Sequence, residues 1–161
     1  MKYESILKTG ESAVRRAAID CLARREHSFY ELKLKLLTKF PHLKPDPIHK
    51  VVHLLRMENL QNDERFVESY SKYRKGLGFG YRHIRHALRL KMVENLKINK
   101  YLVSDDPEWV ELAINVIRKK RGERGSLGMN SLERSKIIRF MEGRGFFISQ
   151  INQAIDFVIE P

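Results

Sequence analysis

The stretch "AAIDCLARREHSFYELKLKLL", residues 17–37, indicates two consecutive α-helices joined by a tight turn. Its first part places apolar residues at helical spacing, so that Ala18 is followed one turn later by Leu22. The tetrapeptide "SFYE" then has the form of a capping box, in which Ser28 caps the first turn and Glu31 reaches back to the amide of the cap. We therefore expect a second helix to begin directly after the serine.

The same pattern of apolar residues at helical spacing repeats along the chain with a period of about 50 residues. Leu22, Tyr70 and Ile117 each lie near the end of a first helix, and Leu32 corresponds in this register to Ile84. Three short helices cannot bury a full core alone, so such units would stack on their neighbours. The sequence thus predicts an all-α protein of about three tandem three-helix repeats, stacked into an elongated, curved array.

Proline-containing breaks mark the starts of further helices. In "FPHLKPDP" we expect Asp46 to cap a third helix and Pro47 to take its first position, and in "SDDPEW" we expect the same of Asp106 and Pro107. The third helix should turn Ile48, Val51, Val52, Leu54 and Leu55 inward. The predicted organisation is an N-terminal extension at 1–14, followed by repeats at 15–61, 62–104 and 105–161, the last with a long loop at 121–130.

The composition favours an anionic partner and a reducing compartment. The chain has 161 residues and a formal net charge of +11, which favours phosphate-rich or acidic partners. The one cysteine, Cys21, allows no disulfide within the chain. No apolar run reaches the length of a membrane span, and charged residues interrupt the first 20 positions, which excludes a signal peptide. We expect a cytoplasmic monomer.

Chemistry-bearing residues are sparse. His49 and His53 have metal-ligand spacing on a helix, but no third ligand or catalytic glutamate accompanies them. The glycine-rich "GLGFG", residues 76–80, follows a helix and lacks the Lys-Ser/Thr of a nucleotide-binding loop. We therefore predict no catalytic residue, no metal and no cofactor. A small nuclease would need clustered acids that the sequence does not show.

Residues 72–91, "KYRKGLGFGYRHIRHALRLK", hold seven Lys or Arg and no acid. Arg82, Arg85 and Arg89 fall at i, i+3 and i+7 and should form a positive stripe on one helix. Phe79 and Tyr81 nearby are candidate stacking platforms for bases, with core packing as the equal alternative. A second basic run, "RKKRGER" at 118–124, is interpreted as a solvated helix end that could join a phosphate-tracking surface.

Four stretches resemble the RecX family of bacterial recombination regulators across nearly the whole chain. They are "AIDCLARREHSFYELKLKL" at 18–36, "NDERFVESYSKYR" at 62–74, "GFGYRHIRHALRLK" at 78–91 and "RFMEGRGF" at 139–146. The chain departs from the family pattern at Lys91-Met92-Val93, where Lys-Gly-Ile is usual, and at Gly143-Arg144, where the family has two arginines.

The resemblance implies a helical protein that binds RecA, as monomer and as filament on single-stranded DNA, and acts as a negative regulator of recombination and of the SOS response. It implies inhibition of filament extension, ATPase and strand exchange, without an enzymatic activity of its own. A curved, basic rod would suit the groove of a nucleoprotein filament. The candidate contact residues are Arg24, Arg25, Lys33, Lys35, Arg74, Lys75, Arg82, Arg85, Arg89 and Lys91.

The same basic sequence also fits a different function. A nonspecific DNA-binding protein could affect recombination by competing for DNA, free or within the filament. Its affinity for bare DNA would then fall steeply with salt and would account for all inhibition.

Overall fold

A computed structural model describes residues 2–122 and 128–159, with side chains from residue 10 onward. Over these ranges the chain is helical and contains no strand, which confirms the all-α prediction. The described helices are α1 (Lys2–Arg24), α2 (Phe29–Lys39), α3 (Pro45–Met57), α4 (Asp63–Gly76), α5 (Tyr81–Leu90), α6 (Asn95–Tyr101), α7 (Glu108–Arg121), α8 (Ser131–Gly143) and α9 (Ile148–Ile159).

These helices follow the predicted order, three to each predicted repeat. α1 runs back to Lys2, through the segment expected to be an N-terminal extension, and Val14 is fully buried. In the predicted loop at 121–130, Arg121 is the last residue of α7 and Asn130 caps α8. Positions 123–127 of that loop lie outside the described residues.

The chain divides into two compact units. One comprises the residues up to Tyr70 together with Leu88–Ile98, and the other comprises Ser71–Ala87 together with the residues from Asn99 onward. The divisions therefore fall inside α4, α5 and α6, so the middle group of helices does not form a unit by itself. The predicted repeat boundaries and the predicted curved, elongated shape stay predictions.

The core of the first unit lies among α1, α2 and α3. Each helix contributes apolar residues at helical spacing, because a stripe about one turn apart is what a helix can bury against its neighbours. The buried members are Val14, Ala17, Ala18, Leu32, Leu36, Ile48, Val51, Val52 and Leu55.

The core of the second unit lies among α7, α8 and α9, together with Phe146 from the turn before α9. The fully buried Trp109 begins the apolar stripe of α7, and its indole N–H donates to the carbonyl of Val103 at 2.7 Å. The buried cluster consists of Ala113, Ile114, Ile117, Ile137, Met141, Phe146, Ile151, Ala154, Ile155 and Val158.

The capping box predicted before α2 is half correct. The Ser28 hydroxyl accepts the Glu31 N–H at 3.0 Å, as expected of an N-cap. The Glu31 carboxylate, however, accepts hydrogen bonds from Arg25 and Lys91 instead of reaching the cap amide. Two cations within reach bind a carboxylate more strongly than one neutral amide does, which explains the difference.

The start and one inward position of α3 were predicted incorrectly. The helix begins at Pro45 behind Lys44, not at Pro47 behind Asp46, because the fixed φ and missing N–H of Pro45 already suit a first helical position. Asp46 instead lies in the first turn, where the helix dipole favours a negative charge. Leu54 is 45% exposed, since the buried stripe runs through Val51 and Leu55 on the adjacent face.

Candidate partner-binding surfaces

In the first unit, the candidate contact residues Arg25 and Lys91 converge on one carboxylate. Arg25 donates to both oxygens of Glu31, at 3.0 and 3.1 Å, and the Lys91 ammonium donates to Oε1 at 2.9 Å. Burial by itself would raise the pKa of Glu31, but the hydrogen bonds from Arg25 and Lys91 outweigh it and lower the pKa to about 2. The two cations therefore share one carboxylate, which compensates one of their two positive charges within the fold.

Lys91 also has a role in packing. Its ammonium lies 5.5 Å from the ring centre of Tyr70 and 6.0 Å from that of Phe66. Its backbone carbonyl accepts the Ser28 hydroxyl at 3.0 Å. Lys91 thus ties the turn before α2 to the segment after α5 through both its side chain and its backbone.

The other candidates in the first unit face solvent more freely. Arg24, Lys35 and Arg89 are exposed, and none of the three forms an ion pair with any residue in the described ranges. Lys33 lies 5.9 Å from the ring centre of Tyr30 and is half-buried. These side chains keep their charge available to an outside partner.

In the second unit, Arg74, Phe79 and His83 form a stacked cluster. The His83 ring stacks on Phe79 with centroids 4.2 Å apart, and the Arg74 guanidinium lies 4.1 Å from the centre of the Phe79 ring. Arg74 also forms a short hydrogen bond to His83 Nε2. A guanidinium can only donate, so Nε2 is the acceptor of this bond. Burial lowers the pKa of His83, and the nearby Arg74, His86 and Arg144 lower it further, in the same sense.

Two segments of the second unit meet backbone to backbone, and we call residues 77–82 with 144–146 the glycine clasp. The Gly80 N–H donates to the Arg144 carbonyl at 2.8 Å, and the Arg82 N–H donates to the Gly145 carbonyl at 3.0 Å. The approach is so close that a Cβ on Gly80 would lie 2.7 Å from the Gly145 backbone. Only glycine fits there.

Two arginines complete the glycine clasp reciprocally. Arg82 donates from its guanidinium to the carbonyl of Phe146 at 2.8 Å, and Arg144 donates to the carbonyl of Leu77 at 2.8 Å. The predicted stripe of Arg82, Arg85 and Arg89 is thus partly committed to the fold. Sequence reasoning did not place Arg144 among the candidate contact residues, although the family's arginine pair, of which this chain keeps only Arg144, was the signal that could have found it.

The remaining candidates of the second unit also have internal partners. Lys75 pairs with Glu108 at 2.6 Å and lies 4.5 Å from the centre of the Trp109 ring system. Arg85 donates to the side-chain oxygen of Asn99 at 2.6 Å. Tyr81 packs edge-on against Trp109 with centroids 6.0 Å apart, an arrangement typical of core packing. A stacking role for Phe79 or Tyr81 towards a base stays a prediction.

Comparison with known proteins identifies the family. The regulatory protein RecX of Haemophilus ducreyi is 33% identical over 135 residues, which cover 84% of this chain and 85% of the relative. That of Chromohalobacter salexigens is 34% identical over 149 residues, covering 92% and 95%. The chain belongs to the RecX family of regulatory proteins. The predicted family is thereby confirmed, although no protein-family model matches the chain.

Solved RecX structures share the fold. The crystal structure of RecX from Lactobacillus salivarius superposes with a TM-score of 0.76 at 22% identity, covering 94% of this chain and 97% of that one. A second RecX crystal structure gives a TM-score of 0.75 at 20% identity, covering 91% and 73%. The all-α repeat architecture is therefore that of RecX proteins.

The sequence also predicted that there is no metal site and no membrane span. Within the described ranges, no cluster of three or more His, Cys, Asp or Glu could hold a metal, and His53 packs edge-on against Phe29 with centroids 5.7 Å apart. No described helix is long and apolar enough to cross a bilayer.

Proposed function

We propose that this protein binds the RecA recombinase, free and as a filament on single-stranded DNA, and restrains it. Binding lowers filament extension, ATPase and strand exchange, and so limits recombination and the SOS response. The observation that carries the proposal is 34% identity to a regulatory protein RecX across 92% of the chain. The net charge of +11 supports it, because acidic protein surface and DNA phosphate both attract such a chain.

The exposed cations of the first unit supply the contact in this proposal. Arg24, Lys35 and Arg89 point their charge to solvent without a carboxylate in the described ranges. An acidic group on the filament can pair with such a cation without displacing an internal carboxylate. Arg25 and Lys91 already share Glu31 and would have to exchange one partner for another. We therefore expect the first set to dominate binding.

Charge reversal tests this assignment. The triple variant Arg24→Glu, Lys35→Glu, Arg89→Glu should weaken inhibition of RecA ATPase about tenfold or more at moderate salt. The control Lys44→Glu, Lys136→Glu, Arg139→Glu makes the same change of charge at exposed positions outside the candidate set. If the two variants inhibit RecA ATPase equally, whether both are weakened or both are unchanged, the positions of these three cations do not matter and the assignment is contradicted.

Competition for DNA is the second candidate function, and the high positive charge favours it. The two functions separate in a pull-down of RecA in the absence of DNA. Capture of RecA supports direct binding. If instead RecA is not captured, and inhibition falls with salt in parallel with affinity for bare DNA, competition explains the effect.

We place this function in the bacterial cytoplasm and assign it to a monomer. The single cysteine, Cys21, is free and only partly buried, which suits a reducing compartment. Sedimentation of the protein alone checks the monomer: a concentration-dependent rise in mass would contradict it.

A further inference from the structure

A basic pocket lies in the second unit, next to the glycine clasp. It has a volume of about 430 Å³ and is bounded by the end of α4, the last turns of α7 and Phe140 of α8. Four cations line it, and among the described residues that border it none is acidic: Lys75, Lys119, Lys120 and Arg144. Such a group of like charges is unfavourable unless an anion or another compensating group accompanies it.

The fold compensates these charges only in part. Lys120 lies 4.0 Å and Arg144 lies 4.8 Å from the centre of the same Phe140 ring, so that one aromatic ring serves two cations. Lys75 pairs with Glu108, a residue that does not line the pocket. Lys119 is exposed and forms no ion pair with a described residue. An anion entering the pocket would therefore meet uncompensated positive charge.

The rest of the pocket lining indicates a ligand that is larger than an inorganic anion and partly apolar. Leu112 and Val116 provide an apolar wall, and nothing lies within 4 Å of a would-be Cβ on Gly76, so the backbone there leaves room for a flat group to approach. Asn115 offers an amide that can both donate and accept hydrogen bonds. The volume falls within the range of small-molecule sites, about 300–1,000 Å³, and exceeds what an inorganic anion needs.

We infer that this pocket binds one nucleotide unit, with its phosphate at Lys119 and Lys120 and its base against Leu112 and Val116. The unit can be a free nucleotide or a nucleotide within single-stranded DNA, since both present the same phosphate and base. The inference deepens the proposed function, because Lys75 belongs both to this pocket and to the candidate contact residues. The test therefore uses no RecA, so its outcome is independent of RecA binding.

Two labelled probes distinguish the sources of the nucleotide. Binding of a fluorescent ATP analogue and of a short dye-labelled oligodeoxythymidine is measured by anisotropy at moderate, fixed salt. Binding of the analogue alone identifies a free nucleotide, and binding of the oligonucleotide alone identifies single-stranded DNA. If neither probe binds, or if polyglutamate displaces the probe as readily as unlabelled nucleotide does, the inference is overturned.

A shape variant and a charge variant locate the binding. Asn115→Trp fills the pocket without changing the charge and, because Asn115 is exposed, leaves the core intact. It should weaken probe binding about tenfold, as should Lys119→Glu. Lys136→Glu, the same charge change on α8 outside the pocket, should weaken binding less than about twofold. Unchanged affinity for Asn115→Trp, with its urea midpoint retained, would show that the charge acts diffusely and not in this pocket.

Discussion

The turn between α1 and α2 and the turn between α8 and α9 are held in different ways. The first is fixed by side chains: Asp63 accepts the N–H of Phe29 at 2.8 Å, and Gln61 donates to the carbonyl of His27 at 3.1 Å. The second is fixed by the glycine clasp, in which backbone groups of 77–82 and 144–146 bind each other directly.

The two turns therefore differ in which substitutions they tolerate. The first turn depends on polar atoms that must be present, since removing an acceptor leaves a buried donor without a partner. The last turn requires residues without a Cβ, because a Cβ on Gly80 or Gly145 would overlap the neighbouring backbone. A side-chain deletion should therefore damage the first turn, and a single added methyl group should damage the last.

The largest expected effect is that of Gly145→Ala. Gly145 has a φ of +88°, and an added Cβ would lie 2.4 Å from the backbone nitrogen of His83. Left-handed backbone and overlap with a neighbouring backbone both cost free energy, so we expect the free energy of unfolding to fall by about 3–5 kcal/mol in urea titration.

Gly143→Ala is the matched control for that variant. Gly143 lies two residues away on the same segment, has no positive φ, and nothing lies within 4 Å of its would-be Cβ. Its free energy of unfolding should change by less than about 1 kcal/mol. Similar losses for the two variants would mean that the glycine clasp contributes nothing specific.

The second prediction concerns the first turn. Asp63→Ala removes the acceptor of the Phe29 N–H and of the Gln61 amide in a buried position, which should cost about 2–3 kcal/mol in urea titration. Asp63→Asn keeps one acceptor oxygen and should recover part of the loss.

Asp156→Ala serves as its control. Asp156 is 67% exposed in its side chain and lies 3.4 Å from Arg134, so its loss should cost less than about 1 kcal/mol. A loss at Asp63 no greater than that at Asp156 would contradict the account of a turn held by buried side chains.

The two turns also differ in how far the sequence predicts them. The Ser28 cap could be predicted because its partner, the Glu31 N–H, lies three positions away. The acceptor at Asp63 could not, since it is 34 positions away from Phe29 and depends on how α4 packs. Likewise the sequence identified Arg82 as one of a row of cations, but charge pattern cannot tell a free cation from one bound to a carbonyl 64 positions along the chain.

The same limit applies to the candidate site as a whole. The basic block at 72–91 and the RecX family could both be identified from the sequence, because a charge pattern and a family motif depend only on residue types and their spacing. Sequence reasoning identified Lys119 and Lys120 only as part of the basic run at 118–124 and did not find the pocket that they form with Arg144, since these residues come together only when α7 meets the end of α8.

The smallest expected effect is the loss, at low pH, of the contribution that Glu31 makes to the free energy of unfolding through the first turn. The pKa of Glu31 is about 2 in the folded protein and near 4.5 in the unfolded chain. Because the folded-state pKa is the lower one, the stabilising contribution of Glu31 is complete above about pH 4.5 and is lost as the pH falls towards 2. We expect it to be on the order of 1–2 kcal/mol after allowance for solvent screening.

Glu31→Gln isolates this contribution. The variant cannot titrate at position 31, so its free energy of unfolding should lie below that of the wild type at pH 6 and approach it as the pH falls towards 2. Lys91→Met, which removes one cation but keeps an apolar chain near Phe66 and Tyr70, should raise the pKa of Glu31. A carboxyl-carbon NMR titration of Glu31 with its midpoint at about 4.5 or above would show that Arg25 and Lys91 do not hold the carboxylate, and that Asp63, Gln61 and Ser28 hold the first turn without it.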